Sequence, residues 1–282
     1  MDVITCHRLK LLGLDPDALP GSSHAERAQA IYASFLERIP YENLSNNRAV
    51  TADPEVCERW PRATDRMLRE NQVHGLGGTS FSMSYALRDL MRGAGLTAHC
   101  TLGYNLVTEQ AHAAVVLYAE DGPLLYDPAL LVCGPIPVRP GGVLEDPLGT
   151  VRLEPRVGPT LTVTIRMHCG DRALRPGEEL FEPPFAGGGA RAIYSIIPIP
   201  APPQSFRQAW LASFYRGRPM PLRLARRVGD RILRYGERPG SIEILGATKR
   251  EEVPVGSDAA HHLHGMFGIE EDCLQAWFDR RR

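Results

Sequence analysis

Apolar residues recur at helical spacing in the first third of the chain and at alternating spacing in the middle third. Ser23 followed by Glu26 forms a capping box that opens an amphipathic stretch through Ile31, Phe35 and Leu36, and Pro40 limits it. A second helix follows Ser80, where Met83, Leu87 and Met91 recur at four-residue steps before Gly93 and Gly95 stop it. The period then changes to two. Leu96, Ala98, Cys100 and Leu102 alternate with smaller or polar residues, and residues 112–119 and 124–131 flank Asp121-Gly122, a hairpin signal. Further strands are expected at 161–167 and 192–197, separated by loops such as the glycine run 187–189. Beyond the proline-rich 197–203, the pattern predicts helices at 206–214 and 222–234, a strand at 241–245, and helices at 257–266 and 270–278. Helices first and sheet after is an α+β arrangement, with no internal repeat and no tract long enough to act as a linker.

Composition narrows the class. The 282 residues, 43% hydrophobic and 23% charged, suit roughly two compact globular units. Thirty-two Lys plus Arg against 33 Asp plus Glu leave a net charge of -1, so no overall basic field exists to hold nucleic acid or an anionic membrane. Apolar runs such as 113–119 fall short of the ~20 residues of a spanning helix, and Met1-Asp2 does not begin a signal peptide. A cytoplasmic location is expected. The six cysteines, at 6, 57, 100, 133, 169 and 273, have no paired spacing, which suits reduced thiols and neither a zinc ribbon nor a disulfide framework.

Candidate chemistry concentrates in Gly75-Leu76-Gly77-Gly78-Thr79-Ser80-Phe81, a glycine-rich turn that delivers a hydroxyl to the start of a helix. Glycines permit a sharp turn, and the helix N-terminus offers unpaired N–H groups to a developing negative charge. Ser80 is therefore placed either as a nucleophile or as the helix cap. No Walker lysine or dinucleotide fingerprint accompanies the turn. His112 begins an apolar strand, and Asp127 lies on the strand returning from the Asp121-Gly122 turn. Pairing 119 with 124 sets Asp127 opposite Val116, on the same face as His112 but about 13 Å from it along the strand. Ser80, His112 and Asp127 together make a nucleophile, base and orienter set of the kind acyl transfer requires.

Two other groupings stand out. Residues 216–238 hold eight arginines, among them Arg226 and Arg227, against only Asp230 and Glu237. Such a face suits a phosphate or an acidic partner, or is simply solvated. His261, His262 and His264 are close in sequence, but only 261 and 264 share a helix face and no further ligand completes a set, so no metal site is expected.

The run Ile39-Pro40-Tyr41-Glu42-Asn43-Leu44, the Gly77-Gly78-Thr79-Ser80-Phe81 turn, His112 leading its strand, and Tyr126-Asp127 before a glycine-containing loop resemble the arylamine N-acetyltransferase family. The order and spacing match over about residues 5–135, and Phe267-Gly268-Ile269 resembles the family's C-terminal end. The resemblance implies a helical N-terminal domain over residues 1–95, a β-barrel-like domain over 96–203 and an α/β lid over 204–282. It implies a catalytic triad of Ser80, His112 and Asp127, with Tyr41, Gly77, Gly78, Thr79 and Phe81 against the substrate. The donor would be an acyl-coenzyme A or phosphopantetheine thioester, with no tightly bound cofactor, and the arginine cluster makes Arg226 and Arg227 the expected donor-binding residues. Partners would be small molecules or carrier-linked acyl groups.

The turn departs from the family's Arg-Gly-Gly-x-Cys-x-Glu in having Leu76 for Arg, Ser80 for Cys and Ser82 for Glu. A cysteine beside histidine can rest as thiolate, whereas serine must lose its proton during attack. The resulting oxygen ester is also less activated than a thioester. Loss of Arg and Glu brings the chain closer to relatives that release or cyclise a chain in antibiotic pathways, where an intramolecular acceptor gains effective concentration. The alternatives are an ordinary arylamine N-acetyltransferase inactivated by the Cys to Ser change, or a non-catalytic binder of acyl carriers or ligands.

Overall fold

The computed structural model describes residues 1–19, 23–52, 62–106, 111–168, 191–214, 221–236 and 240–280. The glycine run 187–189 and Arg216, Arg218 and Arg238 lie outside the described residues.

The N-terminal third is helical: α1 (Val3–Leu11), α2 (His24–Arg38), the short strand β1 (Tyr41–Glu42), α3 (Leu44–Ala52), α4 (Thr64–His74) and α5 (Ser80–Gly93). Ser23 caps α2 by accepting from the Glu26 amide, while Glu26 takes the Ser23 hydroxyl proton in return. Helix α5 is buried on nearly every side, including Met83, Leu87 and Met91, because it packs against α1, α2 and α4 on one side and sheet on the other.

The middle third is antiparallel sheet. Strands β2 (Ala98–Asn105), β3 (Ala111–Ala119), β4 (Gly122–Tyr126), β5 (Ile136–Pro137), β6 (Val143–Asp146), β7 (Gly149–Pro155), β8 (Leu161–Met167) and β9 (Arg191–Ile196) join in the order β5-β4-β3-β2-β9-β8-β7-β6. The two ends, β5 and β6, approach each other, so the sheet nearly closes into a barrel. After α6 (Pro203–Ala212), strands β10 (Leu224–Val228), β11 (Arg231–Tyr235), β12 (Ser241–Leu245) and β13 (Arg250–Pro254) form a second sheet with β1 at its edge. Helices α7 (Ala259–Phe267) and α8 (Glu271–Asp279) close the chain and pack their apolar faces on that sheet.

Three expectations are corrected. Residues 222–234 are not a helix but the β10–β11 hairpin, whose turn places Gly229 at φ +59°, a backbone state that glycine adopts without a side-chain clash. The strand expected to run to 131 ends at Tyr126, where the Asp127 side chain accepts from the amides of Ala129 and Leu130 and turns the chain. The third concerns register. Ala119 pairs with Gly122, leaving a two-residue loop, Glu120-Asp121. Asp127 therefore follows the strand two places from the partner of His112 rather than four, and the separation along the strands falls from about 13 Å to about 7 Å.

Candidate active site

The glycine turn is held by the segment before it. The Gly78 amide donates to Pro40 O at 3.2 Å, the Glu42 amide donates to Gly78 O at 3.0 Å, and Tyr41 bridges Gly78 in parallel. A Cβ on Gly77 would sit 1.7 Å from Pro40 O, so only glycine lets the two backbones meet. Arg62 donates from Nη1 to Gly77 O at 2.6 Å and lies 3.9 Å from the buried Glu42 carboxylate. The same guanidinium pairs with Glu70.

Thr79, not Ser80, occupies the N-cap of α5, and its side chain makes no capping bond. Ser80 is the first helical residue, which removes the capping role from it. The opening amides of α5 have no carbonyl acceptor within the helix. One turn on, Ser84 Oγ donates to Ala113 O at 2.9 Å, pinning this face of α5 to the residue next to His112. Ser80 and Ser84 are four apart on the helix and share that face of α5.

His112 and Asp127 meet directly. Nε2 of the imidazole lies 2.7 Å from Oδ2 of a carboxylate that is wholly buried. Oδ1 is occupied by the amides of Ala129 and Leu130, and Oδ2 also accepts the Tyr194 hydroxyl at 2.7 Å. Because Nε2 faces the acid, Nδ1 is the ring nitrogen left to accept a proton. The Tyr194 ring lies 4.4 Å from the imidazole. It fits there because Gly103, paired with His112 across the strands, has no side chain: a Cβ would stand 2.7 Å from Tyr194 Cδ2. Burial, with the Asp127 charge second, holds the Tyr194 phenol well above its usual pKa, so it acts as a neutral donor.

The other expected residues divide. Gly77 and Gly78 shape the turn, Thr79 sits at the N-cap position without a capping bond, and Tyr41 pairs with Ala225 of β10 while bridging Gly78. The Phe81 ring is buried against Phe206 and Trp210. Arg226 and Arg227 are engaged within the protein. Arg226 donates to Phe267 O and Glu37 O. Arg227, 7% exposed, pairs with Asp146 at 2.9 Å and donates to Leu131 O at 2.7 Å. Arg227 thereby ties the second sheet to the loop that follows Asp127. Leu76 and Ser82 are both buried and uncharged.

Among the described residues no helix is long and apolar enough to cross a membrane. No family model and no curated protein sequence matches the chain. Solved structures do. Arylamine N-acetyltransferase from Mycobacterium smegmatis matches with a TM-score of 0.72 and 18% identity, covering 97% of this chain and 94% of that one. The chain has the arylamine N-acetyltransferase fold. The enzyme from Salmonella typhimurium matches with a TM-score of 0.72 and 16% identity over 98% of both chains, and one from Bacillus cereus, described as having a Cys-His-Glu catalytic triad, with 0.70 and 14% over 96% of this chain and all of that one. At such identities the likeness is one of fold, and the chemistry rests on the residues of this chain.

Proposed function

We propose that the protein is an acyltransferase that takes an acyl group from a thioester onto Ser80 and passes it to an acceptor. The observation that carries this reading is the His112–Asp127 pair at 2.7 Å, on a strand that packs against the helix beginning at Ser80. Ser80 Oγ attacks the thioester carbon as its proton moves to His112 Nδ1. The carbon–sulfur bond breaks, and the departing thiolate takes the proton from the imidazolium. The acceptor, an amine, hydroxyl or carbon acid, then loses its proton to His112 as it attacks the oxygen ester, and Ser80 regains its hydrogen. The amides opening α5 are suited to the transient oxyanion.

Acyl-coenzyme A and acyl-phosphopantetheine on a carrier protein present the same thioester. The uncharged Leu76 and Ser82 beside the nucleophile favour a large or tethered acceptor over a small free arylamine. Chain release or ring closure in a secondary-metabolite pathway fits that preference, because a tethered acceptor compensates for the weaker oxygen ester. Intact-mass spectrometry after mixing with acyl-coenzyme A and with an acyl-phosphopantetheine thioester tests the reading. An acyl adduct that disappears in Ser80→Ala is the expected result. No adduct from either donor, with the thioester bound but unchanged, would make the protein a non-catalytic binder.

A further inference from the structure

Away from the proposed active site, three different ligand types converge where α4 ends and α8 begins. His74 Nδ1, Glu270 Oε2 and Cys273 Sγ all lie within 4.8 Å of one another. His74 and Glu270 are in close hydrogen-bond contact, Cys273 Sγ is 3.5 Å from Glu270 Oε2, and the Glu270 amide donates to His74 O at 2.8 Å, fixing the backbones that carry the cluster.

We propose that His74, Glu270 and Cys273 form a zinc site with one position left for water. Ligand atoms on a tetrahedral ion at the usual zinc distances of about 2.0–2.3 Å stand about 3.3–3.7 Å apart. The Sγ to Oε2 separation already falls in that range, and the His74–Glu270 pair needs only to open slightly. A mixed nitrogen, oxygen and thiolate set favours zinc over magnesium or calcium, which take oxygen ligands. Glu270 and Cys273 are three apart at a helix start, so both face the imidazole that closes α4.

Arg48 Nη1 donates to Cys273 Sγ at 2.9 Å. A guanidinium at that distance is placed to stabilise the thiolate that zinc binding requires, the displaced proton passing to solvent. Once sulfur is bound, the same N–H serves as an outer hydrogen bond to the metal thiolate. One thiolate and one carboxylate balance the two charges of the ion. The site joins the helix preceding the glycine turn to the C-terminal helix and takes no part in the chemistry at Ser80.

Cobalt and zinc titrations of the full chain test this. Cobalt should produce a near-ultraviolet sulfur-to-metal charge-transfer band that saturates at one ion per chain, and zinc should displace it and raise the Tm. Cys273→Ser should abolish the band, His74→Gln and Glu270→Gln should each weaken binding by about tenfold or more, and Ser80→Ala should change nothing. His74 and Glu270 are partly exposed, so their variants report even if Cys273→Ser does not fold. No band in the parent, or a band of equal affinity in all three ligand variants, would overturn the site.

Discussion

Tyr194 and His112 hydrogen-bond the same oxygen of Asp127, each at 2.7 Å, while their rings lie 4.4 Å apart. The phenol therefore fixes the carboxylate that fixes the imidazole. With the two amides on Oδ1, Asp127 has one orientation in which all its partners are satisfied, and that orientation points Oδ2 at Nε2.

Tyr194→Phe removes one donor from a buried carboxylate and should cost about 1.5–3 kcal/mol of stability. Acyl transfer should fall through kcat with KM nearly constant, because the imidazole loses its fixed orientation while the ring of the new phenylalanine keeps the packing. Denaturant unfolding alongside steady-state kinetics checks both. A variant with parental kcat would limit Tyr194 to packing.

Ser80→Cys should form the acyl-enzyme faster from a thioester donor, since thiolate is the better nucleophile and the exchange is thioester for thioester. Stopped-flow mixing with acyl-coenzyme A followed by intact mass measures it. If the parent turns over readily and the variant gains no adduct, Ser80 is an adapted nucleophile.

Arg227→Ala should destabilise the protein by about 3–5 kcal/mol, because it leaves Asp146 buried without its charge partner. It also frees the carbonyl of Leu131, a non-glycine residue held at φ +58°. Differential scanning calorimetry should show the fall in Tm. A variant with unchanged Tm and weakened donor binding would instead return Arg227 to the donor-binding role expected from sequence.

Stability should decline at alkaline pH. Burial raises the phenols of Tyr32 and Tyr194 well above their usual value, so the unfolded chain loses those protons first. Their contribution is complete below about pH 10 and is lost as pH rises from there through the folded-state values. Urea midpoints measured across that window should fall, and fall less steeply in Tyr194→Phe.

Much of this was legible in sequence where the signal is local. The Ser23–Glu26 cap, the apolar spacing of α5 and the alternation of β2 and β3 each specify an element from adjacent residues. Asp127 was visible as a candidate partner for His112, but its distance was not, because one choice of turn residues shifts the register by two places. Arginines and leucines at 222–234 have good helix propensity, and the Gly229-Asp230 turn that divides them outweighs it. Ser84, Arg62 and Tyr194 carried no sequence signal, since each acts on a segment distant in the chain.

Gly103 has a consequence for the order in which the protein assembles. His112 and Asp127 belong to one hairpin, 15 residues apart, so their contact closes a short loop and needs only β3 and β4. Tyr194 arrives from 67 residues beyond Asp127 and can settle over the imidazole only when β9 has docked along β2, in the space that Gly103 leaves open. Closing that longer loop is the slower event. The histidine and its acid thus meet early in folding, and the barrel's last strands lock them.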